Sequence, residues 1–109
     1  MAAVGISENK DWFCARWVFS YVLRSVKEEF PEDSPLRKAI EIALVDGIFW
    51  LDLGEVPRDQ FELFKASIIK LSEDLRRQGP SSIASPEFYP GLLERISELI
   101  ELLEGEKRT

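Results

Sequence analysis

Residues 7–30 read SENKDWFCARWVFSYVLRSVKEEF, and the way they fold sets the class of the whole chain. At about 100° per residue, Trp12, Ala15, Phe19, Val22, Leu23, Val26 and Phe30 share one face. That spacing predicts one amphipathic helix over about residues 8–29, stopped by Pro31. With this segment helical, the rest of the chain follows the same pattern.

Ser34 and Pro35 read as a helix N-cap followed by proline at the first helical position. The second helix is expected over 35–53, with Leu36, Ile40, Ala43, Leu44, Gly47 and Leu51 inward and Gly54 as its stop. Ile48, Phe49 and Trp50 widen that face. A third helix over 57–78 carries the stripe Phe61, Phe64, Ile68, Leu71 and Leu75, in steps of three and four. A fourth over 87–104 carries Leu92, Leu93, Ile96, Leu99, Ile100 and Leu103. No stretch reads as a strand. The expected fold is all-α, a four-helix antiparallel bundle forming a single domain over residues 1–109. Gly79 to Pro90 is the longest connection and is expected to cross an end of the bundle.

Composition narrows the function classes. The 109 residues include 20 acids and 14 bases, a net charge of -6. That balance argues against a generic phosphate-binding surface, and so against nucleic acid as a partner. There is no histidine and one cysteine, Cys14, so histidine-based catalysis, histidine metal clusters and an intrachain disulfide are all absent. A di-iron carboxylate site needs Glu-x-x-His pairs. A magnesium site built on paired helical carboxylates fails at Glu28-Glu29-Phe30-Pro31-Glu32, where proline breaks the helix. Gly47, Gly54, Gly79 and Gly105 stand singly, so no phosphate loop forms. Cys14, without a histidine to act as base, reads as a packed thiol. The expectation is no enzyme, no metal and no cofactor. No apolar run is long enough for a bilayer, and no basic start and apolar core mark a signal peptide, so the expected compartment is cytoplasmic.

Three features suggest contact surfaces. Phe13, Trp17 and Tyr21 stand at i, i+4 and i+8, opposite the main stripe of the first helix, interleaved with Arg16, Ser20 and Arg24. Aromatics and arginine anchor interfaces, although a helix buried on both sides explains the same pattern. Asp46 has Ile42, Ala43, Phe49 and Trp50 as its helical neighbours. It is expected half-buried, held by a hydrogen bond to Trp50 or by an arginine such as Arg16 or Arg24, or else receiving a basic group from a partner. Glu94, Glu98, Glu101 and Glu104 line the fourth helix, and residues 87–104 hold five acids against Arg95. Such a run is either a solvated face or a surface for a basic protein.

The candidate partner-binding residues are therefore Phe13, Trp17, Tyr21, Arg24, Asp46, Glu94, Glu98 and Glu101. The expected function is that of a small acidic protein-binding module: an inhibitor or immunity protein that neutralises a basic partner such as a toxin nuclease. The alternative is a structural or regulatory subunit that homodimerises or assembles through the aromatic face of the first helix. A third class is an enzyme with an unrecognised carboxylate site, which a deep pocket at Asp46 would signal.

Overall fold

The chain opens as a β-hairpin, which overturns the all-α expectation. The computed structural model describes residues 1–106. In order they form β1 (Ala2–Ser7), β2 (Lys10–Cys14), α1 (Arg16–Lys27), α2 (Pro35–Val45), β3 (Trp50–Asp52), α3 (Arg58–Gln78) and α4 (Tyr89–Glu104). Two short 3-10 turns, Pro80–Ser82 and Pro86–Phe88, fill the connection between α3 and α4. The sheet has the order β2-β1-β3, with β2 antiparallel and β3 parallel to the central strand. The architecture is α+β, a small mixed sheet packed on four helices.

The expected first helix is thus split. Glu8 and Asn9 make the hairpin turn, and Asn9 sits at φ 66°, a region that asparagine tolerates better than most residues. After the turn, burial alternates with period two: Trp12 and Cys14 point inward while Asp11 and Phe13 point out. Only at Arg16 does the period change to helical, and Val18, Phe19, Val22, Leu23 and Val26 then form the buried face. Trp12 lies on the predicted inward stripe for a different reason. It faces the core from a strand, and its Nε1 donates to the Arg95 carbonyl of α4 at 2.8 Å.

The second helix is shorter than expected, and Gly54 is not its stop. Gly47 takes φ 66°, and the Ile48 amide reaches back to the Ala43 carbonyl at 3.0 Å, a Schellman-type ending. The freed segment Trp50–Asp52 joins β1 in parallel. The Ala3 amide donates to the Phe49 carbonyl at 3.0 Å and the Leu53 amide to the Gly5 carbonyl at 2.7 Å. At its other end α2 starts as expected: Ser34 accepts from the Arg37 amide and Pro35 opens the helix.

The remaining two helices match their stripes closely. Phe61, Phe64, Ile68 and Leu75 are buried on α3, as are Leu92, Ile96, Leu99 and Leu103 on α4, while Leu71, Leu93 and Ile100 are half-buried. Tyr89 anchors the start of α4 by donating its hydroxyl to the Leu75 carbonyl at 2.6 Å. The core lies between these helices and the inner sheet face, which presents Ala2, Val4, Trp12, Cys14 and Leu51. Among the described residues no helix is long and apolar enough to cross a membrane.

Candidate functional site

Register determines what the sheet shows to the outside. Ala3 pairs with Phe13 on one side and Trp50 on the other, so these three share the outer face. Gly5 pairs with Asp11 and Asp52, which form the next row of that face. Phe13 is 53% exposed and Trp50 46% exposed, so no helix covers them.

Phe13 also touches a second surface. The chain leaves β2 and enters α1 within two residues, which sets Trp17 beside Phe13 around one hollow. The 3-10 turn before α4 brings Phe88 to the same place, with its ring centroid 5.8 Å from that of Trp17. Trp17 and Phe88 remain 43% and 53% exposed. Two further hollows adjoin, both sharing Trp17 and Tyr21. One reaches Ile83 and Ser85 in the α3–α4 connection, and the other runs along α1 to Arg24. Trp17 is common to all three. Of the expected trio, Trp17 shares one hollow with Phe13 and the other two with Tyr21, and the three come from a strand and a helix rather than from one helix face. Tyr21 is half-buried, and burial pushes its phenol pKa up. Arg24 is exposed at the rim.

The structure assigns the other candidates different surroundings. Asp46 is exposed at the C-cap of α2, not half-buried, and it makes no ion pair among the described residues. The helix ends there, so the apolar neighbours expected at Phe49 and Trp50 lie beyond the turn at Gly47. Arg16, one of its expected partners, instead stacks over Phe49, 4.8 Å from the ring centroid. On α4, Glu94 and Glu98 flank Arg95 at 3.6 Å and 3.0 Å, so part of that acidic stripe is already neutralised. Glu101 is exposed and lines a separate shallow groove with Arg76 and Glu73.

Phe88, Ile83, Asp11, Trp50 and Asp52 belong to these surfaces and were not anticipated. Phe88 lies in a connection without helical or strand period. The helical period over 35–53 puts Trp50 on a helix face, where its strand pairing is invisible. The signal for Asp11 was the two-residue alternation of β2.

The electrostatics of the two regions differ. Around the Trp17 hollows, Arg24 and Arg95 stand against Glu87. The outer sheet face carries Asp11 and Asp52, and neither is ion-paired among the described residues. No grouping of three or more Cys, Asp or Glu side chains that could hold a metal occurs among the described residues. Burial pushes the Cys14 thiol up to about 11, against smaller opposing effects of the Phe19 amide and the Arg95 charge. A thiol so raised is neutral and a poor nucleophile at neutral pH.

No protein-family model matches the chain, and no curated protein matches it in sequence. In three dimensions it is similar to a chain in the solved structure of the CdiA-CT toxin from Burkholderia pseudomallei E479 in complex with its cognate CdiI immunity protein. The TM-score is 0.69 at 14% identity, over 97% of this chain and 96% of that one. At that identity the likeness concerns the fold, which the two chains share nearly end to end.

Proposed function

We propose that this chain is an immunity protein: it binds a toxin domain and blocks it, acting by occlusion and not by catalysis. The observation that carries this reading is the end-to-end correspondence of fold with a chain from a toxin–immunity complex. Such a complex contains an attacking and a neutralising partner, and the composition of this chain favours the second role. It has no histidine, its one thiol is buried and held neutral, and its net charge is -6. An acidic surface suits a toxin that must itself attract a polyanion, because complementary charge speeds encounter and selects the partner. The compartment that fits this role is the cytoplasm.

The aromatic surface supplies the holding contacts. Trp17, Phe13 and Phe88 present large rigid side chains that lose little entropy when a partner covers them. Burying them removes apolar area from water and raises the barrier to dissociation. The three adjoining hollows give the partner's side chains shaped places to enter.

The test is pull-down of a toxin domain from the native source with the tagged chain, followed by co-expression of the two. Growth protection together with a stable one-to-one complex on gel filtration is the expected result. Toxicity undiminished by abundant, folded protein overturns the reading.

A further inference from the structure

The outer face of the sheet is built from two rows. Adjacent strands lie about 4.8 Å apart, so Phe13 and Trp50 flank Ala3 roughly 10 Å from one another, and Asp11 and Asp52 flank Gly5 in the same way. The Trp50 side chain crosses from its own row into the next. A Cβ placed on Gly5 would come within 2.7 Å of Trp50 Cη2 and 3.4 Å of Asp11 Oδ1. Glycine at this position therefore lets the indole settle over the central strand, beside the Asp11 carboxylate and in the row whose other flank is Asp52. Asp52 is held from its own side, because its Oδ1 accepts from the Gly54 amide at 2.7 Å.

We propose that this face is the electrostatic half of one continuous docking surface, taking an arginine of the protein partner over Trp50 between Asp11 and Asp52, and that Phe13 joins it to the Trp17 hollows, which take apolar side chains. The proposal rests on the immunity reading and names where and how the partner is recognised.

Four observations carry it. The face is an uncovered side of a sheet whose other side is core, and half of a tryptophan remains open on it. The charges in its two rows are carboxylates alone, unpaired within the described residues. A planar guanidinium meets both demands at once, stacking on an indole while its N–H fork donates to carboxylates. Finally, Phe13 is shared between the sheet face and the Trp17 hollow. The sheet face alone is too small for a stable interface, which needs about 800 Å² per partner. Joined through Phe13, the two regions make a surface with an acidic end and an apolar end.

The experiment measures association and dissociation of a catalytically silenced toxin domain by stopped flow at several salt concentrations. The double variant D11N/D52N keeps the oxygen that accepts from Gly54 while removing both charges. It is expected to associate about tenfold more slowly at low salt, with a flattened salt dependence. Trp50→Ala is expected to dissociate roughly 30-fold faster, the loss typical of a buried aromatic anchor. Thermal melts of both variants serve as the folding control. Unchanged rates in D11N/D52N, beside a Trp17→Ala variant that loses the complex, overturn the sheet half and leave the immunity reading standing. A wild-type chain that forms no complex removes both. Self-association of the free chain that shields Trp50 identifies a second copy as the occupant and also overturns the proposal.

Discussion

Raising the pH should turn Cys14 from a stabilising residue into a destabilising one. The side chain is buried between β2 and the helices, and burial raises its pKa from 9.0 to about 11. The unfolded thiol ionises near its ordinary value, so between pH 9.0 and about 11 the unfolded chain releases a proton that the native chain keeps. Stability that is intact below pH 9.0 is therefore lost as pH rises towards 11. At about 1.4 kcal/mol per pH unit, the loss amounts to roughly 2–3 kcal/mol. Tyrosines and lysines titrate over the same range, so the informative quantity is the difference between wild type and Cys14→Ala. At pH 8 the variant should be less stable by about 1 kcal/mol, the cost of removing a small buried group. Near pH 11 the order should reverse, with the variant more stable by about 1–2 kcal/mol. Urea unfolding followed by far-UV circular dichroism measures both gaps. A gap constant across the range would refute the assignment of Cys14 to a desolvated site. So would rapid reaction of the native thiol with an aromatic disulfide at pH 8.

Trp12→Phe should cost about 1–2 kcal/mol, because the ring is largely kept while the Nε1 bond to the Arg95 carbonyl is lost; chemical denaturation reads the change. Asp46→Ala should alter stability by no more than about 0.5 kcal/mol, since the side chain is exposed and unpaired, and a loss of several kcal/mol would restore a buried partner. Converting Glu94, Glu98 and Glu101 to Gln should slow toxin association less than D11N/D52N does, because Arg95 already neutralises part of that stripe; stopped flow compares the two sets directly.

Where the hydrophobic period ran long and uninterrupted, as over Phe61 to Leu75 and Leu92 to Leu103, reading it placed α3 and α4 within about two residues of their observed ends. The misreading at the N-terminus has a specific cause. Trp12, an inward residue of β2, happens to lie in phase with the helical stripe of α1 and so fits both periods. The central strand gave no help. Its inner face is core and the Trp50 side chain lies over Gly5 on the outer one, so Ala2 to Ile6 are all buried and the usual alternation is missing. Its Ala and Gly content is also poor in β propensity. The three residues of β3 are too few for any period, and their place depends on pairing with residues far earlier in the chain, Trp50 with Ala3 and Asp52 with Gly5. The local marks of the split were Glu8-Asn9 at the turn and Gly47 at the helix end. Of the aromatic surface, the placement of Trp17 between Phe13 on one side and Tyr21 on the other was legible. Its acidic counterpart was not, since Asp11 and Asp52 become neighbours of one glycine only once the sheet forms.

Titration of the captured toxin domain, catalytically silenced, with wild-type protein and with Trp17→Ala in parallel calorimetric runs, tests the central claim most directly. Trp17 is 43% exposed and common to all three hollows, so its loss should leave the fold intact and strip the interface of its anchor. The expected result is saturable one-to-one binding by the wild type and affinity weaker by about 30-fold or more in the variant, with matching thermal melts. No heat of binding from a folded wild-type chain would contradict the assignment as an immunity protein. Equal affinities for the two proteins would contradict its location on the aromatic surface.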